Sequence, residues 1–159
     1  MVVGYVPGGF DMLHVGHLNI LTASAARCDH LVVGVATDES LERMKGRSPV
    51  VPFEERMALV SALRVVDEAV ADLDQDKRPA WRRRNFDVLF KGTDWEGTAK
   101  GRTLEEQMAQ VGARVVYLPY TPTTSSTMLR RTLLQEVAGG TRAVGAADAG
   151  PPAPAGPGT

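Results

Sequence analysis

The sequence has one cysteine, three histidines and no long apolar run, and each shortage narrows the field. A lone Cys28 cannot close an internal disulfide, which fits a reducing compartment. It ends an apolar helical run, where a small core residue is expected rather than a nucleophile. No stretch approaches the length needed to span a bilayer. Residue 1 leads directly into a strand-like run with no secretory leader, so the expected location is the cytoplasm and no membrane partner is expected. Neither sign of charge is in excess, since the formal net charge is −1. Bulk electrostatic binding to nucleic acid is therefore not expected. Two phosphate motifs are also missing. Without Gly-x-x-x-x-Gly-Lys-Ser/Thr there is no P-loop, and without Gly-x-Gly-x-x-Gly after the first strand a dinucleotide oxidoreductase is not expected.

What is present is a rhythm of short apolar runs and helical stretches. Val2–Val6, His30–Ala36, Arg64–Val70, Phe86–Lys91 and Ala113–Leu118 read as strands, the second nearly continuous in β-branched residues as a buried parallel strand would be. Helical patterns run from Leu18 to Ala26, Pro52 to Leu63, Thr103 to Val111, and from the Thr124–Thr127 cap to Val137, with a short helical turn capped by Thr37–Ser40. This alternation predicts a Rossmann-like α/β fold: an open, parallel, five-stranded sheet with helices on both faces. One domain over 1–138 is expected, followed by a disordered Ala/Gly/Pro-rich tail over 139–159.

The unusual residues all follow strands, where an open sheet of this kind binds ligands. Gly8-Gly9-Phe10-Asp11-Met12-Leu13-His14-Val15-Gly16-His17 links the first strand to a helix that opens on His-x-Gly-His. Glycines admit close approach of backbone N–H groups, and a helix N-terminus offers orphan donors and partial positive charge, so the stretch suits a phosphate. Two histidines at i, i+3 share a helical face, as two metal ligands would. A metal site needs a third and usually a fourth protein ligand, and no Cys/His cluster accompanies them, so no metal residues are assigned. The other loops are Met44–Pro49 (basic), Lys91-Gly92-Thr93-Asp94-Trp95, and the Thr/Ser cluster before the last helix.

The decapeptide resembles the His-x-Gly-His signature of the nucleotidylyltransferase superfamily, whose members transfer a nucleoside monophosphate onto a phosphorylated acceptor. Glu55-Arg56, Arg64-Val65-Val66-Asp67-Glu68, Lys91-Gly92-Thr93-Asp94-Trp95-Glu96-Gly97, Tyr117-Leu118-Pro119 and Ser125-Ser126-Thr127-Met128-Leu129-Arg130 are similar to blocks of its glycerol-3-phosphate cytidylyltransferase branch, in the same order from about Val2 to Leu134. Two positions depart: Gly9 stands where the branch has Thr, and Tyr120 where it has a triphosphate-contacting Arg. The Ser-Ser-Thr run also resembles sugar-phosphate adenylyltransferases.

The resemblance implies CMP transfer from CTP to a small phosphorylated or phosphonate alcohol such as glycerol 3-phosphate, with adenylyl transfer to a sugar or cofactor phosphate as the alternative. An inactive nucleotide-binding regulatory module is a further one. It assigns catalysis to His14, His17 and Lys45. It places the nucleotide against Gly8, Gly9, Phe10, Asp11, Gly16, Arg64, Lys91, Gly92, Asp94, Trp95, Tyr120, Thr121, Ser125, Ser126 and Thr127. Lys45, swinging over from a mobile loop, and Arg84 would meet the acceptor, and Arg130 would supply the phosphate charge missing at Tyr120. Mg²⁺ would arrive with the triphosphate, with Asp11 the nearest carboxylate of the signature, and the family suggests a homodimer. Plainer roles stay open for several of these residues: a solvated loop charge for Lys45, a half-buried loop aromatic for Trp95, a solvated helix face for Arg84.

Overall fold

A computed structural model describes residues 1–119, 121 and 123–140. The strands are β1 (Val3–Gly8), β2 (His30–Ala36), β3 (Glu68–Asp72), β4 (Val88–Gly92) and β5 (Arg114–Leu118). The helices are α1 (Val15–Ala25), α2 (Asp38–Lys45), α3 (Phe53–Ser61), α4 (Arg78–Arg84), α5 (Ala99–Val111) and α6 (Ser126–Gly140), with a 3₁₀ turn at Thr93–Trp95. All five strands are parallel, in the order β3-β2-β1-β4-β5. The expected fold class is what forms.

Two apolar clusters lie on the two faces of the sheet. Leu21 of α1 and Val60 of α3 pack with Val6, Val33, Val35 and Phe90. Ala80 of α4, with Leu104 and Met108 of α5, packs with Tyr5, Val32, Phe86 and Leu89. Alternate residues of one strand thus feed opposite cores, because successive side chains point to opposite faces. A Cβ at Gly34 would overlap the Tyr5 hydroxyl, so Gly34 makes room for Tyr5 to donate to the buried carboxylate of Asp72.

The order reverses between β1 and β4, since β1 leads outward to β2 and β4 leads the other way to β5. These two strands pair in register at Gly4↔Val88 and Tyr5↔Leu89. Pro7, which lacks an N–H, lies beyond the last of these pairs. A crevice at the carboxyl ends of these two strands is the place where such folds bind ligands.

Several boundaries differ from the sequence reading. The β3 strand begins at Glu68, not Arg64, because Leu63–Val66 closes a turn. Asp67 then takes the Leu31 N–H on its side chain and gives its own N–H to the Leu31 carbonyl. The α2 helix runs on to Lys45, where the left-handed Gly46 (φ 68°) ends it. Lys45 is therefore the last residue of a helix rather than part of a mobile loop. The α5 helix starts at Ala99, capped by the Thr98 hydroxyl on the Gly101 N–H. Of the 139–159 tail, only Gly139 and Gly140, the last residues of α6, fall among the described residues.

Candidate active site

The link from β1 to α1 is a strained turn held from several sides. Phe10 (φ 52°) and Met12 (φ 50°) both adopt the left-handed region, which costs a non-glycine residue on the order of 1 kcal/mol or more. The Phe10 ring is buried, and a Cβ at Gly8 would collide with it. Between them the Asp11 carboxylate accepts the N–H groups of Val50 (2.8 Å) and Val51 (2.9 Å) and one N–H of Arg130 (2.6 Å). The Asp11 carbonyl accepts the Ser126 hydroxyl at 2.6 Å. One acidic residue thus ties the turn to the loop before α3 and to the start of α6.

The turn delivers both histidines in a defined tautomer. His14 is the N-cap of α1, and its Nδ1 accepts the Gly16 N–H at 3.0 Å. His17 reaches back so that its Nδ1 accepts the His14 N–H at 3.2 Å. A backbone N–H can only donate, so both Nδ1 atoms are unprotonated and each neutral ring carries its hydrogen on Nε2. The rings stack with centroids 3.9 Å apart. Burial lowers the pKa of His14, and burial followed by the neighbouring His14 lowers that of His17 to about 4. At neutral pH the site presents two uncharged N–H donors at the positive end of a helix.

That pKa has a consequence for stability. His17 has a folded pKa below the ordinary 6.5, so the unfolded chain takes up this proton first as pH falls. The penalty is absent above about pH 6.5 and grows as pH falls toward 4, to about 2–3 kcal/mol. Urea unfolding of the wild type and of His17→Gln at pH 7.5 and pH 4.5 measures it. The wild type is expected to lose more between the two pH values, and equal losses would refute the burial argument.

A cavity of about 280 Å³ opens in front of the histidines. Of the residues assigned from sequence it gathers Gly8, Gly9, Phe10, His14, Gly16, His17, Lys45, Lys91, Gly92, Asp94, Trp95, Thr121, Ser125 and Ser126. A smaller cleft shares Gly9, Phe10, His17, Lys45 and Ser126 and adds Asp11, Arg47, Thr127 and Arg130. The Ser126 hydroxyl lies 3.4 Å from His14 Nε2. Burial first, then Arg47 and Arg130, lowers the pKa of Lys45. Cations therefore crowd one rim of a protein with no net positive charge, as a polyphosphate site requires.

Two assigned residues lie elsewhere. Arg64 is exposed on the turn before β3, at the amino end of the sheet and away from both cavities. Arg84, at the end of α4, pairs with Glu68 of β3 at 2.9 Å, also toward the amino end. Tyr120 falls outside the described residues. The Gly9 departure has a local reason, since a Cβ there would stand 3.2 Å from Leu41 of α2.

The residue whose role the sequence did not disclose is Arg56 of α3, which is 1% exposed. Its guanidinium donates to the carbonyls of Val51 (2.8 Å), Gly9 (2.6 Å) and Ala36 (2.7 Å) and to the Asp38 carboxylate (2.7 Å). It thereby fixes the glycine turn to the end of β2 and to the first turn of α2, the helix that carries Lys45. The signals were the Glu55-Arg56 block of the resemblance, which carried no role, and an arginine within a helix that also packs on the core.

The resemblance implies a Mg²⁺ carried by the triphosphate. No three His, Cys, Asp or Glu among the described residues are placed to hold an ion, and both Asp11 oxygens are engaged.

Residues 5–132, most of the chain, match the model of a family described as cytidylyltransferase-like. The chain belongs to the cytidylyltransferase-like family. This cytidylyltransferase-like domain is 36% identical over 118 residues to an FAD synthase of Pyrococcus abyssi, covering 72% of the chain and 78% of that protein. It is also 36% identical over 147 residues to the bifunctional protein HldE of Gluconacetobacter diazotrophicus. There it covers 92% of this chain but only 28% of the much longer HldE. Among solved structures, a lipopolysaccharide core biosynthesis protein of Thermoplasma volcanium superposes with a TM-score of 0.65 at 30% identity, covering 76% of this chain and 97% of that one. A nucleotidyltransferase-type fold and family are thereby shown. Among the described residues no helix of the domain is long and apolar enough to cross a membrane.

Proposed function

We propose that the chain transfers CMP from CTP to a small phosphorylated or phosphonate alcohol, glycerol 3-phosphate being the first candidate. The observation that carries a nucleotidyl transfer is the pair of neutral Nε2–H donors at the start of α1, facing a cavity rimmed by Lys45 and the Ser125–Ser126 hydroxyls. An acceptor phosphate oxygen, ionised at neutral pH, attacks the α-phosphorus. The bond from that phosphorus to its bridging oxygen breaks, and pyrophosphate leaves with the electron pair. No strong base is needed. His14 and His17 donate to the α-phosphate oxygens as charge builds on them, where preorganised donors contribute most. Ser125, Ser126, Thr127, Lys45 and Arg130 hold the β- and γ-phosphates, and the Asp94-Trp95 segment borders the base. A magnesium ion would be held by the triphosphate and help neutralise it.

The cytidine assignment follows the Asp94-Trp95-Glu96-Gly97 run and the family's description. A second reading, ATP as donor, is favoured by the FAD synthase relative, whose named product carries an adenine nucleotide. Pyrophosphate release with CTP or with ATP, across a panel of phosphorylated acceptors, separates the two. CTP is expected to be at least tenfold faster, and the reverse ratio establishes the second reading. No release with either would leave a nucleotide-binding module.

A further inference from the structure

A second cavity, of about 450 Å³, adjoins the first across Pro7, Lys91 and Trp95, which line both. Lys77, the N-cap of α4, and Lys100, Thr103 and Leu104 of α5 supply much of the remaining wall. Its charged groups differ in what balances them. The Lys77 ammonium donates to Asp72 at 2.5 Å and to the Asp74 carbonyl, and Tyr5 donates to the other Asp72 oxygen. Asp76 is engaged by the Arg78 guanidinium. Lys100 is exposed, 5.9 Å from the centroid of the Trp95 ring.

Lys91 has no such balance. It is half-buried on β4, joins no ion pair among the described residues, and its Nζ stands 4.1 Å from the Trp95 ring centroid. The charged groups around it are Lys77 of α4, Asp94 of the 3₁₀ turn, Asp72 of β3 and Lys45 of α2. Burial outweighs the carboxylates and pushes its pKa down to about 8. A ring face offsets only part of a desolvated ammonium's cost, whereas a phosphate offsets it with charge-assisted hydrogen bonds.

We propose that Lys91 grips the acceptor's phosphate at the wall between the cavities, and that the second cavity seats the rest of a small phosphate monoester with a neutral polar body. This rests on the transfer reading above and moves the acceptor contact from Arg84 to Lys91. The position suits the chemistry, because a phosphate held on the shared wall lies beside the cavity that takes the nucleotide. The body of the acceptor is read from the remaining lining. Gln75, Thr103 and Gln107 offer neutral polar groups beside Leu104 and Trp95, which suits a polyol. Asp76, the carboxylate on that wall, is already paired with Arg78, which disfavours a cationic head group such as a quaternary amine.

The test is calorimetric titration of the full chain with the non-hydrolysable α,β-methylene analogue of CTP or ATP. Glycerol 3-phosphate follows, and separately inorganic phosphate as the bare head group. Lys91→Met, which removes charge at similar length, is expected to weaken both phosphate ligands at least tenfold. It should change analogue affinity less than threefold, and Lys91→Arg should recover most of the loss. Thr103→Trp, on the exposed face of α5, is expected to fill the second cavity and weaken glycerol 3-phosphate but not inorganic phosphate, which gives a reading that does not depend on Lys91 variants folding. The proposal is overturned if the wild type binds neither phosphate ligand, if Lys91→Met loses the analogue instead, or if Thr103→Trp leaves glycerol 3-phosphate unaffected. A wild type that binds phosphate through Lys91 but neither analogue would overturn the transfer reading while leaving the phosphate site in place.

Discussion

His17→Ala is expected to lower kcat by about 10²-fold or more while the affinity for the triphosphate changes by only a few-fold. The Nε2–H of His17 can gain most when negative charge concentrates on the α-phosphate oxygens, so its loss falls on the transition state rather than on the ground-state complex. The same change leaves the His14 N–H without its partner, which destabilises α1 locally, by about 1 kcal/mol for a lost cap interaction. His14→Ala carries a similar double loss. His14→Asn separates the two parts, since an asparagine oxygen can still accept from Gly16 while its amide keeps a donor. Steady-state pyrophosphate release, with circular dichroism to show that each variant folds, measures the effect. Near-normal turnover in folded His17→Ala would remove that ring from the mechanism. With a His17 pKa of about 4, the donor role is also expected to stay constant from pH 6 to pH 8.

Arg56→Met should produce the largest loss of stability, about 3–5 kcal/mol. The buried guanidinium satisfies three carbonyls and the part-exposed Asp38 carboxylate, and its removal leaves the carbonyls without their donor. For a domain of this size that corresponds to a fall in Tm on the order of 10 °C. Turnover should fall as well, because the Gly9 turn and the α2 helix bearing Lys45 lose their common anchor. Arg56→Lys should recover only part of either, since one ammonium cannot span acceptors fixed by a planar fork. Thermal melting checks the first part and the release assay the second. A Tm within about 2 °C of wild type would mean that the four acceptors find other partners and that Arg56 is not the anchor.

The signals that could be read without a structure were local ones. His14 and His17 sit within four residues of each other, so a glycine turn and a helix start suffice to place both rings on one donor-rich end. The five strands and their parallel order of connection followed from hydrophobic runs alternating with helical stretches, because burial period and chain chirality act over short spans. Lys91, Gly92, Asp94 and Trp95 line the cavity for a related reason: each lies at or just beyond a strand's carboxyl end, where this architecture opens its crevice.

Arg64 and Arg84 lie away from the two clefts at the histidines because their direction depends on pairing that no local pattern contains. The Asp67–Leu31 interlock sets where β3 begins and leaves Arg64 on a turn at the far end of the sheet. The ion pair with Glu68 then draws Arg84 to that same end. Lys45 was misplaced because the α2 residues Glu42 to Lys45 show no apolar period, and the helix is sustained instead by its Thr37 cap, acidic first turn and basic last turn. Sequence alone determined the fold class, the signature and the glycine turn into a helix, since these rest on short-range patterns. Tertiary structure alone decided that the Asp11 carboxylate would brace the loop before α3 and the start of α6, that Arg56 would lock three segments, and that Lys91 would stand on a wall shared by two cavities. Each of those outcomes depends on which distant groups arrive to satisfy a buried charge, and only the packed chain brings them together.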